Sequence, residues 1–408
     1  MAMISVAEAL AHVLASVPGP VGAETVALEH GAGRTLAADI VSLRTQPPFH
    51  ASAMDGYAVR AADVISPPVT LRLSGHSAAA GHGTDAILGP GEAIRIFTGA
   101  PLPAGADAVV IQEDTEATGE TVSAHVAATA GRHVRSAGID FRKGEILLQA
   151  GHRLDARGVA LAAAMGHPTV PVRRRPRVAI LSTGDELVRP GEPSGPDQIV
   201  ASNPFALRAI VERAGGEAID LGIARDTLSD LRRLIDGARA SEADLLITLG
   251  GASVGEHDLV QTALVESGMD LGFWRVALRP GKPLMHGRLG PMLTLGLPGN
   301  PVSSIVCGVL FVVPAIRALL GDPDAGGDPT ERARLGADLH PNDQRQDYMR
   351  ASLTFDADRA LVATAQPRQD SSMLAVLAGS EALLVRAPHA PAGRAGDACR
   401  IIRLDRFC

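Results

Sequence analysis

Lysine is nearly missing from this chain: of its 38 basic residues only Lys143 and Lys282 are lysines. Aromatic residues make up 3% and the formal net charge is −7. Nucleic-acid binding normally wants a basic face and stacking aromatics, so that class is excluded. The three cysteines, Cys307, Cys399 and Cys408, share no metal-type spacing and no disulfide framework. Their pattern predicts a reducing cytoplasm. Long apolar runs are also lacking. The richest, IVCGVLFVVPAI at 305–316, is too short for a bilayer, contains a proline and reads as a buried helix. The first residues, MAMISVAEALAHVLASV, read as an amphipathic helix interrupted by Glu8 and His12 rather than a secretion signal. No internal repeat, Walker loop, GxGxxG fingerprint or Ser-His-Asp or Cys-His set is present. A lone loop histidine such as His257 is more often solvated than catalytic.

What is present is organisation. A length of 408 residues predicts two to four domains. Helical spacing is expected at 5–17 and 155–166, and a helix-like or extended apolar stretch at 34–43. Between 69 and 137 the apolar period becomes two, with Gly/Pro turns, which predicts a small β domain. From Arg173 onward strands alternate with helices at 204–214, 228–240 and 258–267, and FWRVAL reads as a further strand. That rhythm specifies a mostly parallel sheet with helices on both faces. Residues 331–408 return to short alternating strands. The predicted fold class is therefore multidomain α/β, with a central doubly wound, mostly parallel sheet domain (173–322). Around it are two β-rich domains, at 51–137 and 323–408, and a discontinuous α+β N-terminal domain, 1–50 with 138–172.

In such a sheet ligands bind beyond the carboxyl ends of the strands. The unusual residues fall there: TGDEL, Asp226, GGASVGEHD, RPGKP and LPGNPVSS are each expected to follow a strand. Asp185, Glu186, Asp226 and Asp258 would put carboxylates beside Arg279, Lys282 and a helix start carrying Ser303 and Ser304. Carboxylates next to an anion cradle suit Mg²⁺ bridging to phosphate oxygens. Gly250, Gly251 and Gly255 permit close backbone approach to a ligand. Lys, Arg and Ser donors suit a tetrahedral oxyanion.

The motifs SAMDGYAVR (52–60), RIFTGAPLPAGADAVV (95–110), STGDEL (182–187), GGASVGEHD (250–258), RPGKP (279–283) and LPGNPVSS (297–304) resemble those of the molybdopterin molybdenumtransferases. The resemblance extends to the C-terminal domain of gephyrin and covers essentially the whole chain. It implies an elongated cytoplasmic homodimer that inserts molybdate into adenylylated molybdopterin with Mg²⁺ and releases AMP. A molybdopterin adenylyltransferase is the implied donor of the pterin nucleotide, and no membrane is involved. It also implies activity-linked roles for Asp55, Thr98, Asp140, Asp185, Glu186, Asp226 and Asp258, and structural prolines at Pro298 and Pro301. Gly250, Gly251, Ser253 and Asn300 are implied for the pterin nucleotide, and Lys282 and Ser303 for molybdate. Arg345 and Ser371 or Ser372 are implied as the last domain's contribution, with Arg279 in a position where the family has Lys. His50, Ala51, Leu249 and Phe141 also depart from the family pattern. Two other readings remain at this point: an adenylyltransferase, which normally lacks the SAMDGYA module, and a non-enzymatic scaffold.

Overall fold

The computed structural model describes residues 3–250 and 259–408. Its centre is a six-stranded sheet in the order Glu217–Ala224, Arg177–Thr183, Leu245–Leu249, Met292–Leu297, Met285–Leu289, Asp270–Phe273. The first four strands are mutually parallel and the Met285–Leu289 strand is antiparallel to both its neighbours. Successive side chains of a strand point to opposite faces. Val178, Ile180, Leu245 and Ile247 therefore join one core with the helices Asn203–Ala214 and Pro301–Leu319. Ala179, Leu181 and Leu246 join another with Leu228–Ala240 and Leu259–Glu266. The doubly wound expectation is met.

Local chemistry sets the helix starts. Ser5 and Glu8 exchange bonds as a capping box, and the Thr227 hydroxyl accepts from the Asp230 N–H at 3.3 Å. Asp230 does not complete a second box; its carboxylate accepts from the Arg225 N–H instead. Ser202 occupies the cap position of the Asn203–Ala214 helix without a side-chain capping bond. The 301–319 helix has the length and apolarity of a membrane span, yet 83% of it is buried as the core of the central domain. Of the two alternatives for residues 34–43 the extended one holds, with bridges at Thr35 and Leu36 and the strand Ile40–Val41. Two expectations are corrected. The FWRVAL strand ends at Phe273; the chain then turns, and Leu278–Arg279 pairs with Gln346–Asp347 of the last domain. The first helix, Val6–Ala15, packs into the central core and not with the 156–164 helix, whose core is formed by Leu36, Phe141, Leu154 and Val170.

Strand Ala23–Ala27 pairs with Thr169–Arg173 across the intervening chain. Within that span, Ala51–Ser52 pairs with Val134–Arg135, a narrow neck for the six-stranded β unit between them. In the last domain the strands Glu331–Leu335, Gln346–Phe355, Leu361–Ala365, Ala382–Arg386 and Ala398–Arg403 close on themselves as a ring.

Candidate functional site

A cleft of about 700 Å³ opens at the carboxyl edge of the central sheet. Thr183, Gly184 and Glu186 reach it from the end of one strand, Asp226 from the next and Gly250 from a third. Pro298, Gly299, Asn300 and Pro301 close it from the fourth, with Pro283 and Ser372 at its far side. The RPGKP turn arrives by a different route from the one its sequence suggests. It follows a strand of the last domain, and it meets the edge because the next strand, Met285–Leu289, runs backwards from there.

Close approach requires glycine at one point above all. Gly250 has φ +96°, and a Cβ there would lie 2.7 Å from the Thr183 carbonyl oxygen. The PGNP turn is fixed by side chains from both neighbours. Asn203 Nδ2 donates to the Gly299 carbonyl at 2.6 Å, and Asn300 Nδ2 donates to Ser371 Oγ at 3.0 Å. Not every N–H at the helix start is open, because Val302 N donates to the Ser371 carbonyl at 3.1 Å. Ser303 is buried, 3% exposed, one turn inside.

The carboxylates divide. Glu186 and Asp226 line the cleft, while Asp185 Oδ1 accepts from the Asp226 N–H at 3.3 Å. Among the described residues no three acidic, His or Cys side chains form a metal cluster; the fourth expected carboxylate, Asp258, is not one of them. Asp258, Gly251 and Ser253 lie outside the described residues. The remaining pair still fits Mg²⁺, which takes one or two protein carboxylates and fills its other positions from phosphate and water. Lys282, beside Pro283, is half-buried and its ammonium makes no ion pair or hydrogen bond among the described residues. The turn that carries it lies tight on the 301–319 helix: a Cβ on Gly281 would sit 2.7 Å from Cys307 Sγ.

The two arginines expected at the site are committed elsewhere. Arg279 Nε donates to Asp347 at 2.6 Å and Nη1 to Asp343 at 3.0 Å, with Asn342 also bound. Arg345 donates to Asp343 at 2.8 Å. These bonds to Arg345 hold the Asp343 carboxyl down at about 2. Sequence reading passed over Arg350, which is 1% exposed behind the Ser371 loop. Its Nη2 donates to the Asp370 carbonyl at 2.9 Å, and its buried Nε has no partner. The signal was parity: Tyr348 and Arg350 share one side of their strand, the side on which Tyr348 joins the central core, whereas Arg345 precedes that strand.

Asp55, Thr98 and Asp140 do not line the cleft. Asp55 Oδ1 accepts from both the backbone N–H and the hydroxyl of Thr98, each at 2.7 Å. Those bonds, the backbone one foremost, hold its carboxyl below the usual range. Arg95 lies 5.0 Å from the ring centroids of both Tyr57 and Phe97 beside that pair. Asp140 is exposed on the 135–145 segment, its N–H donated to the Gln46 carbonyl.

Residues 4–166 match the MoeA N-terminal region (domain I and II), residues 179–318 a probable molybdopterin binding domain, and residues 332–404 the MoeA C-terminal region (domain IV). A molybdopterin molybdenumtransferase of Haemophilus influenzae is 36% identical, with 85% of each chain covered. One from Nostoc is 40% identical over 81% of this chain and 77% of its own. Gephyrin of Dictyostelium discoideum is 32% identical over 89% of this chain but only 56% of its own length. A crystal structure of the molybdopterin biosynthesis MoeA protein from Pyrococcus horikoshii superposes with a TM-score of 0.82 at 33% identity, covering 98% of this chain and 99% of that one. With these relatives spanning nearly its whole length, the chain belongs to the molybdopterin molybdenumtransferase family.

Proposed function

We propose that this chain is a transferase of molybdenum cofactor biosynthesis that inserts molybdate into adenylylated molybdopterin at the strand-edge cleft. The observation that carries the reading is one crevice holding Glu186 and Asp226 and the Gly250 and PGNP backbone, with a nearby Lys282 ammonium that has no counter-ion among the described residues. One molybdate oxygen bonds the adenylyl phosphorus as the phosphoanhydride bond breaks. The bridging oxygen stays on the molybdopterin phosphate, AMP leaves, and the remaining MoO₃ unit is taken by the two dithiolene thiolates. Glu186 and Asp226 would hold Mg²⁺, which neutralises phosphate charge when bound. Lys282 attracts the tetrahedral oxyanion, with Ser303 and the Ser371–Ser372 turn bounding its site. Positioning and charge neutralisation do the work, more than proton transfer.

Asp55 and Thr98 sit on a different domain and are read as completing the site from a second protomer of a homodimer. An exposed apolar ribbon supports that assembly: Val41 and Ile146 are cross-strand neighbours, 41% and 51% exposed, flanked by Leu43 and Leu147. The protein is proposed to work in the cytoplasm, receiving its substrate from an adenylyltransferase. Incubation with adenylylated molybdopterin, molybdate and Mg²⁺ should release AMP in a molybdate-dependent way, and Glu186→Gln or Asp226→Asn should slow that release at least tenfold. Synthesis of the pterin nucleotide from molybdopterin and ATP would instead make the chain an adenylyltransferase. No turnover at all would favour a scaffold.

A further inference from the structure

The last domain sends one short loop, residues 370–372, to the far side of the cleft, and its two serines are bonded in opposite senses. Ser372 lines the cleft, yet its proton is already committed: its N–H and its hydroxyl both donate to Asp370 Oδ1, at 2.8 and 2.6 Å. Ser371 is the reverse case. Its Oγ accepts from Asn300 Nδ2 at 3.0 Å, and its own proton meets no acceptor among the described residues. A hydroxyl has one proton and two lone pairs. A lone pair filled by Asn300 therefore leaves the Ser371 proton pointing away from that amide.

Asn300 forgoes an ordinary task to make this bond. It occupies the N-cap position of the 301–319 helix, where an asparagine side chain commonly accepts from a backbone N–H of the first turn. No such capping bond forms, and the amide reaches across to the last domain instead. Nor does the loop need Asn300 to fold. Arg350 N donates to Gln369 Oε1 and Gln369 Nε2 returns to the Arg350 carbonyl, each at 3.0 Å. Arg350 Nη2 holds the Asp370 carbonyl at 2.9 Å, and Val302 N holds the Ser371 carbonyl at 3.1 Å. With the loop backbone fixed by these bonds, the Asn300 amide acts on the Ser371 hydroxyl alone.

We propose that Asn300 is a positioning residue: by donating to Ser371 Oγ it turns the Ser371 proton toward the molybdate oxyanion, so that Ser371 and not Ser372 supplies the hydroxyl donor of the last domain. The inference rests on the proposed insertion reaction. A hydrogen bond to an ionised oxygen is strongest when its donor is already oriented, because no reorganisation is then needed on binding. The turn that starts a helix of the central domain thus sets the direction of a group carried by its neighbour.

The test is a double-mutant cycle on the intact protein, read by calorimetric titration with sodium molybdate and by the KM values for molybdate and adenylylated molybdopterin in AMP release. Thermal melting checks folding, and Asn300→Ala is expected to melt near the wild type because Asn300 is exposed and caps nothing. Asn300→Ala and Ser371→Ala should each weaken molybdate about tenfold, and the double variant should be no weaker than Ser371→Ala alone. The KM for the pterin nucleotide should stay within twofold in Asn300→Ala, a split that general damage to the cleft would not produce. Losses that multiply to about a hundredfold in the double variant would overturn the proposal, because Asn300 would then act independently of Ser371. Wild-type molybdate affinity in Asn300→Ala, or a larger loss in Ser372→Ala than in Ser371→Ala, would overturn it as well. AMP release by the wild type that ignores molybdate would instead overturn the reaction, while the titrations would still report on the link between Asn300 and Ser371.

Discussion

Gly250 shows how a single backbone position sets the width of the cleft. Alanine there meets both a left-handed backbone and the Thr183 carbonyl, so Gly250→Ala should cost about 1–3 kcal/mol of stability and slow AMP release more than tenfold. Thermal melting and turnover check the two halves of that expectation. Asp55 gives a second prediction. Thr98→Val removes one of the bonds that favour the carboxylate, so the Asp55 pKa should rise toward the ordinary aspartate value. An NMR titration reads it directly, and an unchanged value would detach Thr98 from Asp55. His286 is 2% exposed, and burial lowers its pKa to about 4. Its Nδ1 faces the Thr294 carbonyl at 3.3 Å and its Nε2 the Ser16 hydroxyl at 3.0 Å. As pH falls from 6.5 to 4 the unfolded chain takes up a proton that the folded one refuses. Stability should therefore drop by on the order of 3 kcal/mol across that window and level off below it. His286→Gln should flatten this part of a denaturation-versus-pH curve.

At the level of elements, the Leu278–Arg279 strand ties the central domain to the last one. Arg279 bridges to Asp347, which is 6% exposed, and burial of that carboxylate makes the bond matter more than a surface pair. Asp347→Asn should cost about 1–2 kcal/mol, less than a fully buried pair because Arg279 itself is half-exposed. Faster protease cleavage within 323–331 would register the loosened connection. The same stretch marks where sequence reading ran out. Helices at 204–214 and 228–240 were legible because apolar spacing, Thr227 and Pro204 are local signals. So were the strands of the central sheet and the crowding of TGDEL, Asp226 and PGNP at one edge. That Arg279 would leave for the neighbouring domain was not legible, since its partners Asp343 and Asp347 lie far along the chain and only folding brings them near. The burial of Arg350 was not legible either, because it arises only when the last domain packs on the central one. Nor was the short ribbon of Leu187–Val188 beside Ile199–Val200 legible, because two-residue strands carry no period.

For the whole molecule, the exposed ribbon of Val41, Leu43 and Ile146 is the surface on which the proposed homodimer depends. Leu43→Glu with Ile146→Glu should shift the protein to monomers in sedimentation and abolish AMP release without lowering the melting temperature by more than a few degrees. A stable monomer that still turns over would end the idea that Asp55 serves a second protomer. The neck formed by Ala51–Ser52 and Val134–Arg135 has a further consequence. The chain enters and leaves the intervening β unit at one place, so that unit is a graft hanging from its host by a single stem. A short turn joining residues 52 and 134 should leave the rest of the molecule able to fold, and the excised piece should be portable in its own right.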